Sequence, residues 1–262
     1  MPTKPQIPPE FIEQKDIEIK SKKKDGEEKS VFWRNAFSEK LLGANIDRFY
    51  PTETLYGDWD GEVLFLAQDA LPAPLLKKLI EDFRKRGIPI SETWVHGDKD
   101  NPNLKGILDE SIKKCGGCPT NTNLRKFKEK FIDSKGAVYG SVAANMLFDD
   151  DGGTNMSQDV KGFNSPIFVE YMQTVLKWVV MSMPNLKVVF CLGVKAWQVS
   201  SSFLNLDKKD RNKDFKGEPP KRAKIGTKEI DLIASYHPTQ FYRPNVAQKN
   251  VRSWEYLRES LK

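Results

Sequence analysis

The sequence predicts an α/β fold: a three-layer α/β/α sandwich on a central, mainly parallel four-stranded sheet. Two observations carry this. Short apolar runs recur along the chain, "VLFL" from Val63, "GAVYGSVAANMLF" from Gly136, "LKVVFCL" from Leu186 and "IDLIAS" from Ile230, each with the length and branching of a buried strand. Segments of helical periodicity separate them, and strand alternating with helix implies parallel pairing with helices on both faces.

In chain order, residues 1–30 hold prolines and the mixed charge run "EIKSKKKDGEEKS". With so little to bury, they are expected to form a flexible tail, leaving 31–262 as one domain. "VFWRNAFSEKLLGANI" has the apolar spacing of a helix, and "ETLYGDWDGE" leads into the first strand. A helix is expected from Pro72 through "APLLKKLIEDFRKRG", stopped by its glycine, and "IPISETWVHG" reads as an extended segment. The polar stretch from Asp98 to Thr120 carries a weak helix at "LKGILDESIKKCG", and "LRKFKEKFID" is an amphipathic helix. After the second strand, "SPIFVEYMQTVLKWVVM" is helical with proline near its first turn. "LKVVFCLGVKAWQ" is a strand, a glycine turn and a helix start. Residues 206–228 are dense in Lys and Arg with two prolines, the mark of an exposed basic insertion or loose hairpin. The fourth strand then ends at His237-Pro238, and "NVRSWEYLRESLK" closes the chain as a helix.

The composition bounds the function. Of 262 residues, 39% are hydrophobic, including 6 Trp and 15 Phe, enough to build a substantial core. Lys and Arg number 42 against 36 Asp and Glu, a balance that favours a polyanionic partner. No apolar run approaches a membrane span and "MPTKPQIPPEFIEQKD" lacks the apolar core of a signal peptide, so an intracellular, non-secreted protein with no membrane association is expected; a monomer is the expected state. The 3 Cys exclude a disulfide scaffold. Only Cys115 and Cys118 are spaced as a pair, and Cys191, His96 and His237 are too scattered to complete a zinc site on sequence grounds. The expectation is therefore no metal and no cofactor.

Three of the predicted strands end on groups that do chemistry. Asp69 follows the first, Asn145 falls at the end of the second, and His237 follows the fourth. A parallel sheet gathers the C-terminal ends of its strands along one edge, where open α/β sheets bind ligands. Each residue alone also has a structural reading: Asp69 as a helix cap, Asn145 as a turn former, His237 as a hydrogen-bonded loop imidazole. Their convergence at three strand ends argues for a site.

These residues and their order resemble the uracil-DNA glycosylase superfamily. Ala67-Gln68-Asp69-Ala70-Leu71 stands where the classical branch has Gly-Gln-Asp-Pro-Tyr after a strand. "VAANMLF" is similar to the strand ending in Asn, and "SYHPTQFYRPNVAQKNVRSWEYL" to the His-Pro-Ser motif with its following wedge segment and helix. The resemblance runs from Gly61 to Leu261 and implies a divergent member. It departs at Leu71, where the classical motif has the tyrosine that bars bulky pyrimidines, and at Ala67 and Ala70, which replace glycine and proline. Trp94 is the candidate for the aromatic that stacks on the base.

What the resemblance implies is a DNA N-glycosylase, a hydrolase that removes uracil or a related deaminated base from DNA and leaves an abasic site for base excision repair. Asp69 would orient water and face the cationic sugar. Asn145 would read the base edge, with Gln68 and Leu71 beside it, and His237 would donate to a base carbonyl as negative charge develops. The segment "QFYRP" matches the DNA-inserting wedge, so Phe241 or Tyr242 would enter the stack, Arg243 would meet phosphate, and Thr239 would lie at the same DNA surface; the structural alternative is that both aromatics pack under the closing helix. A different class of function stays open on sequence alone: a protein that keeps the fold and binds DNA or a protein partner without cleaving. Uracil-containing DNA, single- or double-stranded, is the expected partner.

Overall fold

A computed structural model describes residues 17–22, 28–33, 55–69, 85, 119–132, 136–143, 147–148, 166–204 and 215–262. Its strands are β1 Ile17–Lys22, β2 Glu28–Trp33, β3 Leu55–Gly57, β4 Val63–Asp69, β5 Ala137–Ala143, β6 Leu147–Phe148, β7 Val188–Leu192, β8 Lys221–Ile225 and β9 Lys228–Ser235. Its helices are α1 Pro119–Phe131, α2 Pro166–Ser182, α3 Val194–Ser200 and α4 Pro244–Ser260, with 3-10 turns at Ser201–Phe203 and Pro238–Gln240.

The fold is of the α/β class. Its main sheet is mixed and has six strands rather than four, in the order β3-β5-β4-β7-β9-β8. The interior strands β5, β4, β7 and β9 pair in parallel. Antiparallel β3 and β8 flank them as edges. Both additions have local causes. Leu55–Gly57 is too short for its pattern to register as a strand in sequence. Strands β8 and β9 form a hairpin about Gly226-Thr227, where Gly226 takes φ 63°, so the C-terminal part of the basic insertion is paired sheet rather than free loop.

A second sheet, β1-β2-β6, is antiparallel. It corrects two expectations. Residues 17–22 and 28–33, assigned to a flexible tail and the start of a helix, are strands in register from Ile17↔Trp33 to Lys22↔Glu28. Ile17 and Ile19 alternate with charged residues, and Asp25-Gly26, a pair that favours hairpin turns, lies between the two strands in sequence. Net charge masked that two-residue repeat. The helices expected at residues 34–46, 72–86 and 104–116 lie outside the described residues, Lys85 excepted.

The core is built on the strand repeat. Val63 and Phe65 of β4, Val188, Phe190 and Leu192 of β7, and Ile233 of β9 form one buried cluster with Leu124, Phe127 and Phe131 of α1, Trp254 and Leu257 of α4, and Leu261 at the C-cap of α4. The register pairs Phe65 with Phe190 and Phe190 with Ile233, which puts these positions on one face. Trp254 is fully buried, with ring centroids 4.7 Å from Phe190 and 5.7 Å from Phe65. The alternate residues, Leu64, Leu66, Val189, Cys191, Leu232 and Ala234, are buried as well, and α3 packs on β4, β5, β7 and β9. Burial on both parities explains why these strands read as continuous apolar runs.

Candidate functional site at the strand ends

The interior strands all deliver their C-terminal ends to one edge. Asp69, the last residue of β4, pairs in register with Ala143, the last of β5. On its other side β4 pairs with β7, whose final residue, Leu192, pairs with Ser235 at the end of β9. His237 is two residues beyond. Parallel pairing therefore puts the backbone at Asp69 and the turn at His237 on the same edge, with only β7 between their strands. At ordinary strand spacing, β4 and β9 are about 10 Å apart. Position 69 also has the strand parity of Val63 and Phe65, and Ser235 that of Ile233. Asn145 and Leu71 lie outside the described residues, as do Trp94, Cys115, Cys118 and residues 205–214 of the insertion.

The β7 exit brings its turn against His237. Gly193 caps α3 with φ 106° and ψ 174°, a conformation essentially reserved for glycine. Its N–H donates to the Ser235 carbonyl at 3.0 Å, tying the end of β7 to the end of β9. A Cβ at position 193 would lie 3.6 Å from the His237 Cβ. That is ordinary contact, so the requirement for glycine comes from the backbone angle and not from crowding.

His237 leads the 3-10 turn Pro238–Gln240 as its N-cap, φ −63° and ψ 140°, and its carbonyl accepts from the Gln240 N–H at 2.8 Å. Its Nδ1 lies 2.9 Å from Thr239 Oγ1 and accepts from the Thr239 N–H at 3.4 Å. Burial lowers its pKa below the ordinary 6.5, because the imidazolium loses hydration there. The ring is then neutral at pH 7, and with Nδ1 accepting, its proton belongs on Nε2. This is an imidazole set to donate one hydrogen bond.

Two anchors hold that turn. Asn123 of α1 donates its side-chain amide to the Pro238 carbonyl at 2.8 Å. Phe241 is buried at 1% exposure, with ring centroids 4.7 Å from Phe127 and 6.0 Å from Trp254. Phe241 is therefore a core residue, which corrects its assignment to the DNA surface: the turn directs it inward, where its ring completes the aromatic cluster. Tyr242 is 58% exposed and meets Phe127 only edge-on, at 5.4 Å. Thr239 and Arg243 are exposed, and Arg243 sits at the N-cap of α4.

A strap from Phe215 to Lys221 borders the same edge. Phe215 lies 4.9 Å from Trp197 of α3, and the Lys216 ammonium is over the Tyr236 ring at 4.9 Å. The Gly217 N–H donates to Ser253 Oγ of α4 at 3.0 Å. Cys191, mid-sheet in β7, is fully buried and its thiol is pushed up to about 12 by that burial, so it is not a ready metal ligand. Among the described residues, no group of three or more His, Cys, Asp or Glu is placed to hold a metal ion, and no helix is long and apolar enough to cross a membrane.

Asp69 and His237 are legible from the sequence as strand-end residues, whereas Gly193, Asn123 and Ser235 are not. Gly193 was legible only as a turn. The other two act through contacts 115 and 15 residues away in sequence, which no local pattern signals. No family model and no curated protein matches the chain.

Proposed function

We propose that this protein is a monofunctional DNA N-glycosylase of the uracil-DNA glycosylase type, acting on uracil or a related deaminated base. The carrying observation is His237, a neutral imidazole whose Nδ1 is engaged by Thr239 and whose Nε2–H has no partner among the described residues, at the same strand edge as Asp69. The finer architecture that suits this reading is a three-layer α/β/α sandwich, with α1 and α4 on one face of the parallel strands and α3 on the other.

In the proposed reaction the bond between C1′ of the deoxyribose and N1 of the base breaks, and its electron pair leaves with the base. His237 donates from Nε2 to a base carbonyl that gains negative charge, a contact that strengthens toward the transition state. A neutral donor suits that task, because it stabilises the anion without having to surrender a proton. The Asp69 carboxylate faces the cationic sugar and orients the water whose oxygen bonds to C1′. The water's spare proton passes to solvent, and the departed base anion is protonated there. One carboxylate suffices because the leaving group carries its own stabilised charge, unlike the alkoxide of a sugar leaving group.

Asn145 would read the base edge with Gln68, and Leu71 in place of tyrosine would relax the exclusion of thymine. The about 10 Å between β4 and β9 accommodates a flipped base between Asp69 and His237. Tyr242 is the exposed aromatic for the gap left in the stack, with Thr239 and Arg243 toward phosphate. The proposed protein needs no cofactor or metal and works as a monomer inside the cell.

A single-turnover assay tests this, using end-labelled oligonucleotides with one uracil, single-stranded and paired, followed by alkaline cleavage. Abasic product is expected, falling by about two or more orders of magnitude in both Asp69→Asn and His237→Ala. No product under enzyme excess, with oligonucleotide binding retained, would overturn uracil excision in favour of a binding protein.

A further inference from the structure

Beneath the His237 turn lies a polar cluster in an otherwise apolar interface. Ser235, Asn250 and Ser253 are each at 1% exposure or less. Ser235 Oγ donates to Asn250 Oδ1 at 3.0 Å, and Ser253 Oγ donates to the Ala234 carbonyl at 2.8 Å while accepting the Gly217 N–H. Thus α4 grips the last residues of β9 with side chains, at the point where the strand becomes the His237 turn. Ser235 has a second task, since its carbonyl receives the Gly193 N–H. A continuous chain results: Asn250 to the Ser235 side chain, the Ser235 backbone to Gly193, and Gly193 against His237.

The Asn250 amide is only partly partnered among the described residues. Its Nδ2 is buried with no hydrogen-bond partner among the described residues, and the Trp254 Nε1, one helical turn on, is in the same condition. A buried amide whose NH2 group has no partner carries a desolvation penalty that a leucine of similar size would avoid.

We infer that Asn250 is a positioning residue for His237, acting through Ser235 and Gly193 to fix where the imidazole points. The assignment rests on the glycosylase reading of His237 for its consequence, but the coupling itself is independent of any substrate. Removing the Ser235–Asn250 bond frees the Ser235 side chain, loosens its carbonyl against Gly193, and lets the β7 exit and the His237 turn move relative to each other.

The test uses Asn250→Leu, with Ser235→Ala removing the same bond from the other side should the first variant fail to fold. The chain has only 2 His, so the imidazole nitrogens of His237 are readily assigned by NMR. The thermal midpoint is expected to hold or rise for Asn250→Leu, while in both variants the His237 nitrogen shifts depart from the Nε2–H tautomer and the Gly193 amide exchanges faster. Uracil excision in single turnover should fall roughly 10- to 100-fold, in the rate constant rather than in DNA affinity, as for a reacting group displaced by about 1 Å. Unchanged His237 shifts and Gly193 exchange in a folded variant would overturn the inference. An unmodified protein without excision activity would overturn the glycosylase reading instead, leaving the coupling to be judged by the two NMR readouts.

Discussion

Phe241 packs its ring 4.7 Å from that of Phe127, centroid to centroid, while its neighbour Tyr242 is 58% exposed. One step along the backbone separates a core aromatic from a surface one. The 3-10 turn after His237 produces this division, because it reverses the chain over three residues and commits one side chain to the interior. The buried ring makes the turn part of the rigid core, so His237 is presented from a fixed platform.

That division is measurable. Phe241→Ala is expected to lower stability by about 3–5 kcal/mol, the cost of emptying a fully buried aromatic site. Tyr242→Ala should stay within roughly 1 kcal/mol of the parent, as surface substitutions usually do, and should weaken oligonucleotide binding. Chemical denaturation and fluorescence anisotropy separate the two. Equal destabilisation by both substitutions would contradict the burial difference.

The lowered pKa of His237 gives stability a signed pH dependence. The fold keeps the ring neutral, whereas the unfolded chain takes up its proton near the ordinary 6.5. Above that value neither state is protonated and the full contribution is present. As the pH falls below it, the unfolded state binds a proton that the fold does not, and the contribution is lost down to the folded pKa. Denaturation midpoints of the parent should drop between pH 7.5 and 5.5, and His237→Gln should reduce that drop. A variant whose midpoints fall as steeply as the parent's would show that other groups govern the slope.

Gly193→Ala tests the turn that lies beside the backbone and Cβ of His237. With φ 106° and ψ 174° the position is strained for any L side chain, although the space for a Cβ is adequate. The expected cost is about 1–3 kcal/mol of stability, or a local shift of the turn that relieves it. Either outcome should disturb the His237 environment, visible in its NMR shifts. A variant with parental stability and an unperturbed His237 would mean that the turn does not require glycine.

Much of the fold was legible in the strands. Val63–Leu66, Val188–Leu192 and Leu232–Ala234 announce themselves because burial on both faces demands an unbroken apolar run, and their alternation with helices implies parallel pairing. Strand β1 was not legible, since charged residues interleave Ile17 and Ile19, and β2 was not because its apolar end, Val31–Trp33, runs on into a pattern with helical spacing. β3 was too short to carry a pattern. Phe241 was ambiguous for a different reason: an aromatic after His-Pro is compatible with either side of the turn, and only the neighbouring Phe127 and Trp254 decide which.

By itself the sequence determined the α/β class, the parallel succession of interior strands and the placement of Asp69 and His237 at strand ends, because these follow from local periodicity and from the geometry of parallel sheets. Only the tertiary structure decided the strand order and the antiparallel edges. It alone directed Phe241 inward, set Gly193 against His237 and joined Asn250 to Ser235. Those outcomes depend on contacts between residues distant in the chain, and the energies that select them arise when the helices close over the sheet.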